Sequence, residues 1–348
     1  MSQYLVRRIL WMIPVLFFVV LITFIIMHAT PGGPWDVAPD TRTSDPRLAE
    51  KFNKQYGLDL PLFFNLEGGQ QAISEGRGAV EIGQGFMNAQ FQIYMWNLMQ
   101  GDLGQSYRFR GQQVTDILFT ANEGKPFWES RIGTTAFLGI LAMVFALCVG
   151  FPLGLIAGLK QNSLIDNLSL FLATAFYGIP NFVTGIFLIL IFAVKLGVVR
   201  VLEIDHWENW QAWILPAMTL GVATAAYVAR LTRSSVIETM RQDYVRTARA
   251  KGLSERAVVL DHILRNALIP VVTFIGPALA GLVTGSFIIE TQFSVNGIGR
   301  LFVESIGRRD YTIILALTLV YAFLVALANL IVDITYGFLD PRIKVGGE

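Results

Sequence analysis

Six uncharged stretches of about membrane-crossing length constrain this chain more than any other feature. They are Ile9–Thr30, Gly133–Leu159, Asn167–Val194, Ala212–Ala229, Asn266–Ile289 and Tyr311–Val332. A helix rises about 1.5 Å per residue, so about 20 apolar residues traverse the hydrocarbon core. The spacing predicts an all-α, polytopic membrane protein with six transmembrane helices, the fourth being the shortest. Composition agrees: 15% of the 348 residues are charged, against about 25% in soluble domains.

The charge balance excludes one class of partner. Lys+Arg 27 against Asp+Glu 26 leaves no basic excess for nucleic acid. The single cysteine, Cys148, lies in an apolar run, so there is no disulfide framework and the residue reads as a small buried apolar group. Arg7 and Arg8 precede the first run as they would in a secretory signal. That run exceeds the roughly 7–15 residues of a signal core, and "HATPGGP" is a poor cleavage site, so it reads as an uncleaved span.

Orientation follows from the distribution of Lys and Arg. Eight of them (Arg230, Arg233, Arg241, Arg246, Arg249, Lys251, Arg256 and Arg265) fall between the fourth and fifth runs. The loop Lys195–Gln211 instead carries Glu203, Asp205 and Glu208 against Lys195 and Arg200. Placing the basic loop inside also places Arg7/Arg8, Lys160 and the tail "DPRIKVGGE" inside, so both termini are expected in the cytoplasm. The layout is then residues 1–30 as N-terminus and first span, 31–132 as a large extracytoplasmic loop, 133–336 as a five-helix core and 337–348 as a cytoplasmic tail. Within the loop, Phe91, Met95, Leu98 and Met99 recur at helical spacing, which predicts a lid of short helices packed on the bundle. Glycines and prolines inside the spans (Pro152, Gly154, Gly178, Pro180, Gly185, Pro216, Gly221, Pro277, Gly281, Gly285) suit close helix packing and kinks.

Catalytic signatures are missing. There is no GxxxxGK[ST], HExxH, CxxC or GxSxG, and "NEGKPF" (Asn122 to Phe127) lacks the glycine and hydroxyl of a phosphate loop. His28, His206 and His262 lie far apart in sequence. The six runs carry no ionisable residue in their central portions; Lys195 and Asp333 stand at span ends, where snorkelling or an end-of-helix partner accounts for them. A proton- or ion-coupled route through the membrane would need such a residue, so no enzyme or ion-coupled carrier is indicated.

The charged segment "YVRTARAKGLSERAVVLDHILRNALIP" (Tyr244 to Pro270) is the most informative polar stretch. Gly252 is placed to end one helix, Ser254 to cap the next, and Glu255 to complement its dipole. Arg249 and Lys251 occupy the last turn of the first helix, where cations are favoured. Upstream, "SVIE" (Ser235 to Glu238) fits a capping box, and helix is expected to run nearly continuously from the fourth span. A basic loop drawn to anionic headgroups would explain the arginines. It would not explain the Gly-Leu-Ser break or the interleaved Ala248, Leu253, Val258, Val259, Ile263 and Leu264. Two short amphipathic helices lying across the cytoplasmic face fit better, as a docking surface.

This segment resembles the EAA loop (EAA-x3-G-x9-I-x-L-P) of binding-protein-dependent ABC importer permeases. Gly252, Ala248 and Leu264 match, while Arg246, Thr247, His262 and Arg265 stand where the general pattern has Glu, Ala, Ile and Pro. "RTARAKGL" with "RNALIP" is similar to the oligopeptide/dipeptide (peptide/nickel) permease branch. So are "YGLDLPL" (Tyr56 to Leu62), "GDLGQSY" (Gly101 to Tyr107), "FYGIPNF" (Phe176 to Phe182), "ETQFSVNGIGRL" (Glu290 to Leu301) and "LDPRI" (Leu339 to Ile343). Roughly Phe63–Phe86 looks like an insertion.

The resemblance implies an ABC type I importer permease fold in a plasma (inner) membrane. It implies half of a translocation path for di- or oligopeptides, not an enzyme, with a second homologous permease as heterodimer partner. Two cytoplasmic ATP-binding subunits would hold ATP and Mg, none being bound by this chain, and an extracytoplasmic solute-binding protein would deliver substrate. The coupling loop at about 234–265 would contact an ATPase through Arg246, Thr247, Ala248, Lys251, Gly252, Leu253, Ser254, Glu255, His262 and Leu264. Candidate pathway residues are Tyr177, Asn181, Thr184, Thr224, Tyr227, Thr284 and Asn329, each also suited to an interhelical hydrogen bond. No residues form a metal set. Nickel chelates and oligosaccharides are alternative cargoes, and an ion-coupled secondary transporter is the rival of a different class.

Overall fold

The computed structural model describes residues 2–34, 46–109, 111–121, 124–199 and 207–339. In chain order the helices are α1 (Ser2–Ala29), α2 (Pro46–Tyr56), α3 (Leu66–Ser74), α4 (Ala79–Met87), α5 (Gln90–Met99), α6 (Val114–Phe119), α7 (Arg131–Leu159), α8 (Leu164–Gly178) and α9 (Asn181–Leu188). Then come α10 (Ile214–Met240), α11 (Asp243–Ala250), α12 (Glu255–Ala257), α13 (Arg265–Val283), α14 (Phe287–Gln292), α15 (Ile298–Gly307) and α16 (Tyr311–Leu339). Glu203, Asp205, His206, Asn122 and the tail with most of "LDPRI" lie outside the described residues. Five helical segments are long and apolar enough to cross a membrane, and the pair α8 and α9 with its extension counts as a sixth if the bent pair is one span. By contact the chain divides into two compact bodies: Met1–Val15 with Ala121–Leu301 and Tyr321–Glu348, and Leu16–Thr120 with Phe302–Val320.

The first body is built on α7 and α10. Nothing expels two apolar helices from lipid toward each other, so close backbone approach and the dispersion it allows must hold them. Gly150, Gly154 and Gly158 recur at four-residue spacing along one face of α7 and are buried. A Cβ on Gly150 would sit 3.1 Å from the Ala225 Cα, on Gly154 2.7 Å from the Thr232 Cβ, and on Gly158 2.8 Å from the Val236 Cβ. Further along the same pair, Leu138, Ala142 and Met143 bury against Trp213, Leu215 and Leu220, with Leu282 and Phe293 completing the core.

Three boundaries differ from expectation. The third run is not one straight helix: α8 and the segment Asn181–Lys195 meet at 108°. Pro180 supplies no N–H and forces Ile179 into an extended conformation (ψ 128°), which ends α8. The fourth run, cut at Ala229 by its charge pattern, is the start of a helix that continues to Met240. Ser235 is therefore buried inside α10 rather than capping a new helix. The fifth run is displaced: helix is continuous from Glu255 to Val283, and a turn at Thr284–Ser286 separates it from α14. Asp333, expected at a span end with either snorkelling or a partner to account for it, lies inside α16 and is ion-paired with Arg8 of α1.

In the second body the short helices bury an aromatic cluster. Val20, Phe24 and Met27 of α1, Phe91 of α5, and Tyr311, Ile314 and Leu315 of α16 form its centre, with Met95 and Leu98 packed against it. Met99, the fourth residue of the expected stripe, is exposed. Asp310, buried at the start of α16, accepts from the Ser106 hydroxyl (2.6 Å), from the Arg108 N–H (3.2 Å) and from the Ile313 N–H (3.3 Å). "GDLGQSY" therefore serves to tie its loop to the N-terminus of α16, where a carboxylate is favoured.

The insertion-like stretch is a closed hairpin of α3 and α4. Asn65 N–H donates to the Phe86 carbonyl (2.9 Å), and the flanks meet through Gln90 N–H to Pro61 O and Phe91 N–H to Leu62 O, both 3.0 Å. A segment whose ends already touch is removable without stretching the chain. Replacing residues 65–87 by two glycines is expected to leave the melting temperature of the detergent-solubilised chain within a few degrees of the parent; loss of folded protein would show that the hairpin holds the body together.

Candidate functional site

The loop between α10 and α13 is organised around one helix stop and one helix start. The α11 helix ends in a Schellman arrangement: Gly252 N–H donates to the Arg249 carbonyl (2.9 Å) and Leu253 N–H to the Ala248 carbonyl (3.4 Å). Gly252 takes φ +78°, a left-handed conformation that a β-branched residue resists. Ser254 then caps α12, its Oγ accepting from the Ala257 N–H at 3.4 Å. Across the turn the Arg249 guanidinium donates to both carboxylate oxygens of Glu255, at 2.8 and 3.3 Å.

The second half of the loop is not a separate short helix. From Ser254 onward it passes through α12 and a π-helical turn, Val258–Leu264, directly into α13. A π turn widens the helix by one residue and shifts the side chains that follow. Here it brings Val258 and Ile263 inward together: both are fully buried in a cluster with Val236 of α10, Val245 and Ala248 of α11, and Ala267 of α13. Leu155 and Leu159 of α7 and Met240 pack on the same cluster. Burying a Val or Ile side chain is worth about 1.5–3 kcal/mol, whereas an exposed pair such as Arg249–Glu255 contributes about 0–1 kcal/mol. The apolar cluster, rather than the charges, therefore fixes the loop to the ends of α7, α10 and α13.

What remains outside is a compact ridge. Arg246, Thr247, Lys251, Gly252, Leu253, Ser254 and Glu255 are exposed, His262 and Leu264 are half-buried, and Ala248 is buried. The ten residues named from sequence thus run from α11 through the Gly252 turn and α12 to the π turn, with Ala248 serving the packing side. Tyr244 is exposed as well and its hydroxyl accepts from the Asn266 side chain at 2.8 Å, a tie between α11 and α13 that sequence reading missed.

The candidate pathway residues do not form a single group. Tyr177, at the end of α8, faces Tyr227 of α10 with ring centroids 6.4 Å apart, and Tyr227 stacks on Phe274 of α13 at 4.4 Å. Thr224 is half-buried one turn before Tyr227. Thr184 is buried on α9 without a hydrogen-bond partner among the described residues; Asn181, at the start of the same helix, is half-buried. Thr284 donates to the Gly281 carbonyl at 2.8 Å, and Asn329 is exposed on α16. No hydrogen bond or ring contact among the described residues joins these last four to the tyrosine pair. The fully buried Ser106 and Thr135 and a buried carboxylate, by contrast, were not anticipated.

That carboxylate is Glu290, one residue beyond the fifth uncharged run and 0% exposed. Its Oε2 accepts from the backbone N–H groups of Gly299 (2.8 Å) and Arg300 (3.1 Å), and its Oε1 from the Thr135 hydroxyl (3.0 Å). Thr135 Oγ1 in turn accepts from the Ile298 N–H at 2.9 Å. Glu290 thus caps α15 from outside and pins that helix to α7, which is what "ETQFSVNGIGRL" encodes. Burial pushes its pKa up to about 7, against the pull of the Arg300 N–H, the Thr135 hydroxyl and the Gly299 N–H. A folded pKa above the ordinary carboxylate value means that the folded chain holds a proton more tightly than the unfolded chain. The stability this gives is complete below the ordinary carboxylate pKa and is lost as pH rises through about 7. The melting temperature is expected to fall across that window in the parent and to be flat across it in Glu290→Gln; an identical slope in both would show that Glu290 does not titrate there.

Comparison with known proteins identifies the family. Residues 150–345, a range that contains the loop and both helices that carry the tyrosine pair, match the family described as binding-protein-dependent transport system inner membrane component. The glutathione transport system permease protein GsiC of Escherichia coli (strain K12) is 37% identical over 344 residues, covering 99% of each chain. The dipeptide transport system permease protein DppB of Bacillus subtilis (strain 168) is 34% identical over 345 residues, again 99% of each. Among solved structures, an inward-facing MetNI methionine ABC transporter aligns with TM-score 0.48 at 19% identity, over 60% of this chain and 94% of that one. The chain belongs to the family of binding-protein-dependent transport system inner membrane components, in its peptide/nickel-type ABC importer permease branch.

Proposed function

We propose that this permease subunit forms half of the path by which peptides enter the cell, and that the exposed ridge Arg246–Glu255 is where an ATP-binding subunit grips it. Multi-pass membrane placement follows from the spans and the family. The finer topology, with both termini and the loop 234–265 in the cytoplasm and residues 31–132 outside, rests on the Lys/Arg distribution. A second, homologous permease completes the path, two ATP-binding subunits supply ATP and Mg, and a solute-binding protein delivers cargo on the other side. Peptide cargo is supported by the relatives named for glutathione and dipeptide transport.

The observation that carries the coupling role is mechanical continuity. The ridge cannot shift alone, because Val245, Ala248, Val258 and Ile263 are buried against α7 and α10 and the chain leaves the loop as one helix into α13. A displacement applied at Leu253 would therefore be delivered to three spans at once. Interfaces and packed cores of this kind hold discrete arrangements rather than deforming continuously. In this reading Tyr177, Thr224 and Tyr227 line the moving path, and Asn181, Thr184, Thr284 and Asn329 are further polar positions along the spans.

Uptake of a labelled dipeptide into proteoliposomes holding the full complex is the test. Uptake is expected only with ATP, both ATP-binding subunits and the binding protein present; uptake that persists without ATP would overturn the proposal. Within that assay Gly252→Val is expected to reduce transport and transport-stimulated ATP hydrolysis at least tenfold while leaving membrane insertion intact, because it removes the left-handed end of α11.

A further inference from the structure

We propose that Arg230 is a recognition site within the path, built to receive the carboxylate of the transported peptide. The inference rests on the peptide reading above and names the chemical group that the path recognises.

Arg230 lies inside α10, ten residues before its end at Met240, or about 15 Å along the axis at 1.5 Å per residue. Its guanidinium carbon stands 4.4 Å from the ring centroid of Tyr177 and 6.0 Å from that of Tyr227. One turn later on the same helix, Arg233 forms a two-point pair with the buried Asp166, its Nη2 donating to Oδ2 at 2.8 Å. The two arginines are thus treated differently: Arg233 has its carboxylate supplied by this chain, and Arg230 has only ring faces. Among the described residues Arg230 makes no ion pair or hydrogen bond.

Stacking on tyrosines fixes the plane of a guanidinium while leaving its edge N–H groups available. Those N–H groups match a carboxylate in a two-point geometry. The flanking rings are open as well: Tyr177 is 54% and Tyr227 37% exposed, so this chain leaves the face uncovered. An ionisable residue inside a candidate spanning helix, here Trp210–Met240, without a partner in its own chain marks a route for something of opposite charge. An unblocked linear peptide carries one such group at its C-terminus, whatever its side chains, which suits a path that must pass many sequences.

The test uses the reconstituted complex with dialanine and dialanine amide as probes, the second lacking the carboxylate charge. Because the binding protein is the same throughout, its own preference cancels when the acid-to-amide ratio of KM is compared between parent and variant. Arg230→Gln is expected to raise KM for the acid at least tenfold and for the amide less than twofold, and Arg230→Lys to recover most of the acid preference. Equal changes for acid and amide would overturn the proposal. So would loss of assembly in Arg230→Gln that Arg230→Lys restores without altering the ratio, since Arg230 would then be pairing with the second permease. Should Arg230→Gln fail to assemble at all, Tyr177→Leu serves instead, with a threefold or larger loss expected for the acid alone. Absence of uptake of either probe by the parent would count against the peptide reading itself.

Discussion

Backbone contact between α7 and α10 is the constraint on which the rest of the first body depends. Lipid offers no hydrophobic gain for joining two apolar helices, so the pair must approach closely enough for dispersion and carbonyl contacts to act. The buried Gly150, Gly154 and Gly158 allow it, each lying where a Cβ would meet α10. Once that seam exists, its two ends become platforms. At one end Leu155, Leu159, Val236 and Met240 receive the loop; at the other Leu138, Ala142 and Met143 receive Trp213, Leu282 and Phe293.

Buried acidic groups then position what the seam does not reach. Glu290 caps α15 and holds it to Thr135 of α7, while Asp166 anchors α8 to Arg233 of α10. Removing one partner from such a site leaves an uncompensated buried group, which costs more than the pair gains. Each is thus a fixed point: both oxygens of Glu290 are met by N–H or O–H donors. Membership in the importer family sets aside the ion-coupled carrier on separate grounds.

Much of the architecture was legible in the sequence, and the losses share a cause. Length and apolarity located five long apolar helices and a bent pair that makes a sixth span if read as one, and the helix-stop chemistry of Gly252 and Ser254 placed the loop break where the structure has it. Runs delimited by their first charge, however, discard charges that belong to the same helix. Ending the fourth run at Ala229 hid Arg230 inside α10, and ending the fifth at Ile289 hid Glu290. Pro180 was noted as a possible kink, but a bend of 108° depends on what α9 packs against, including Gln292 donating to the Phe182 carbonyl. The π turn at Val258–Leu264 has no local composition signal; it is set by which residues the platform under it buries. The SVIE stretch failed as a capping box because tertiary burial of Ser235 and Val236 overrides a four-residue signature.

The proposed seat of an ATP-binding subunit is the ridge formed around Gly252. Leu253 is exposed at its tip, and Cys148, the one native thiol and exposed rather than buried as expected, is replaced by serine to leave a single reactive position at Leu253→Cys. A maleimide carrying a photoactivatable benzophenone, attached to this cysteine in the assembled complex and irradiated, is expected to join it through C–H insertion to an ATP-binding subunit, and ATP binding to change the yield. Labelling of the same cysteine by a membrane-impermeant maleimide from the extracytoplasmic side, with no cross-link to an ATP-binding subunit, would contradict both the topology and the coupling role.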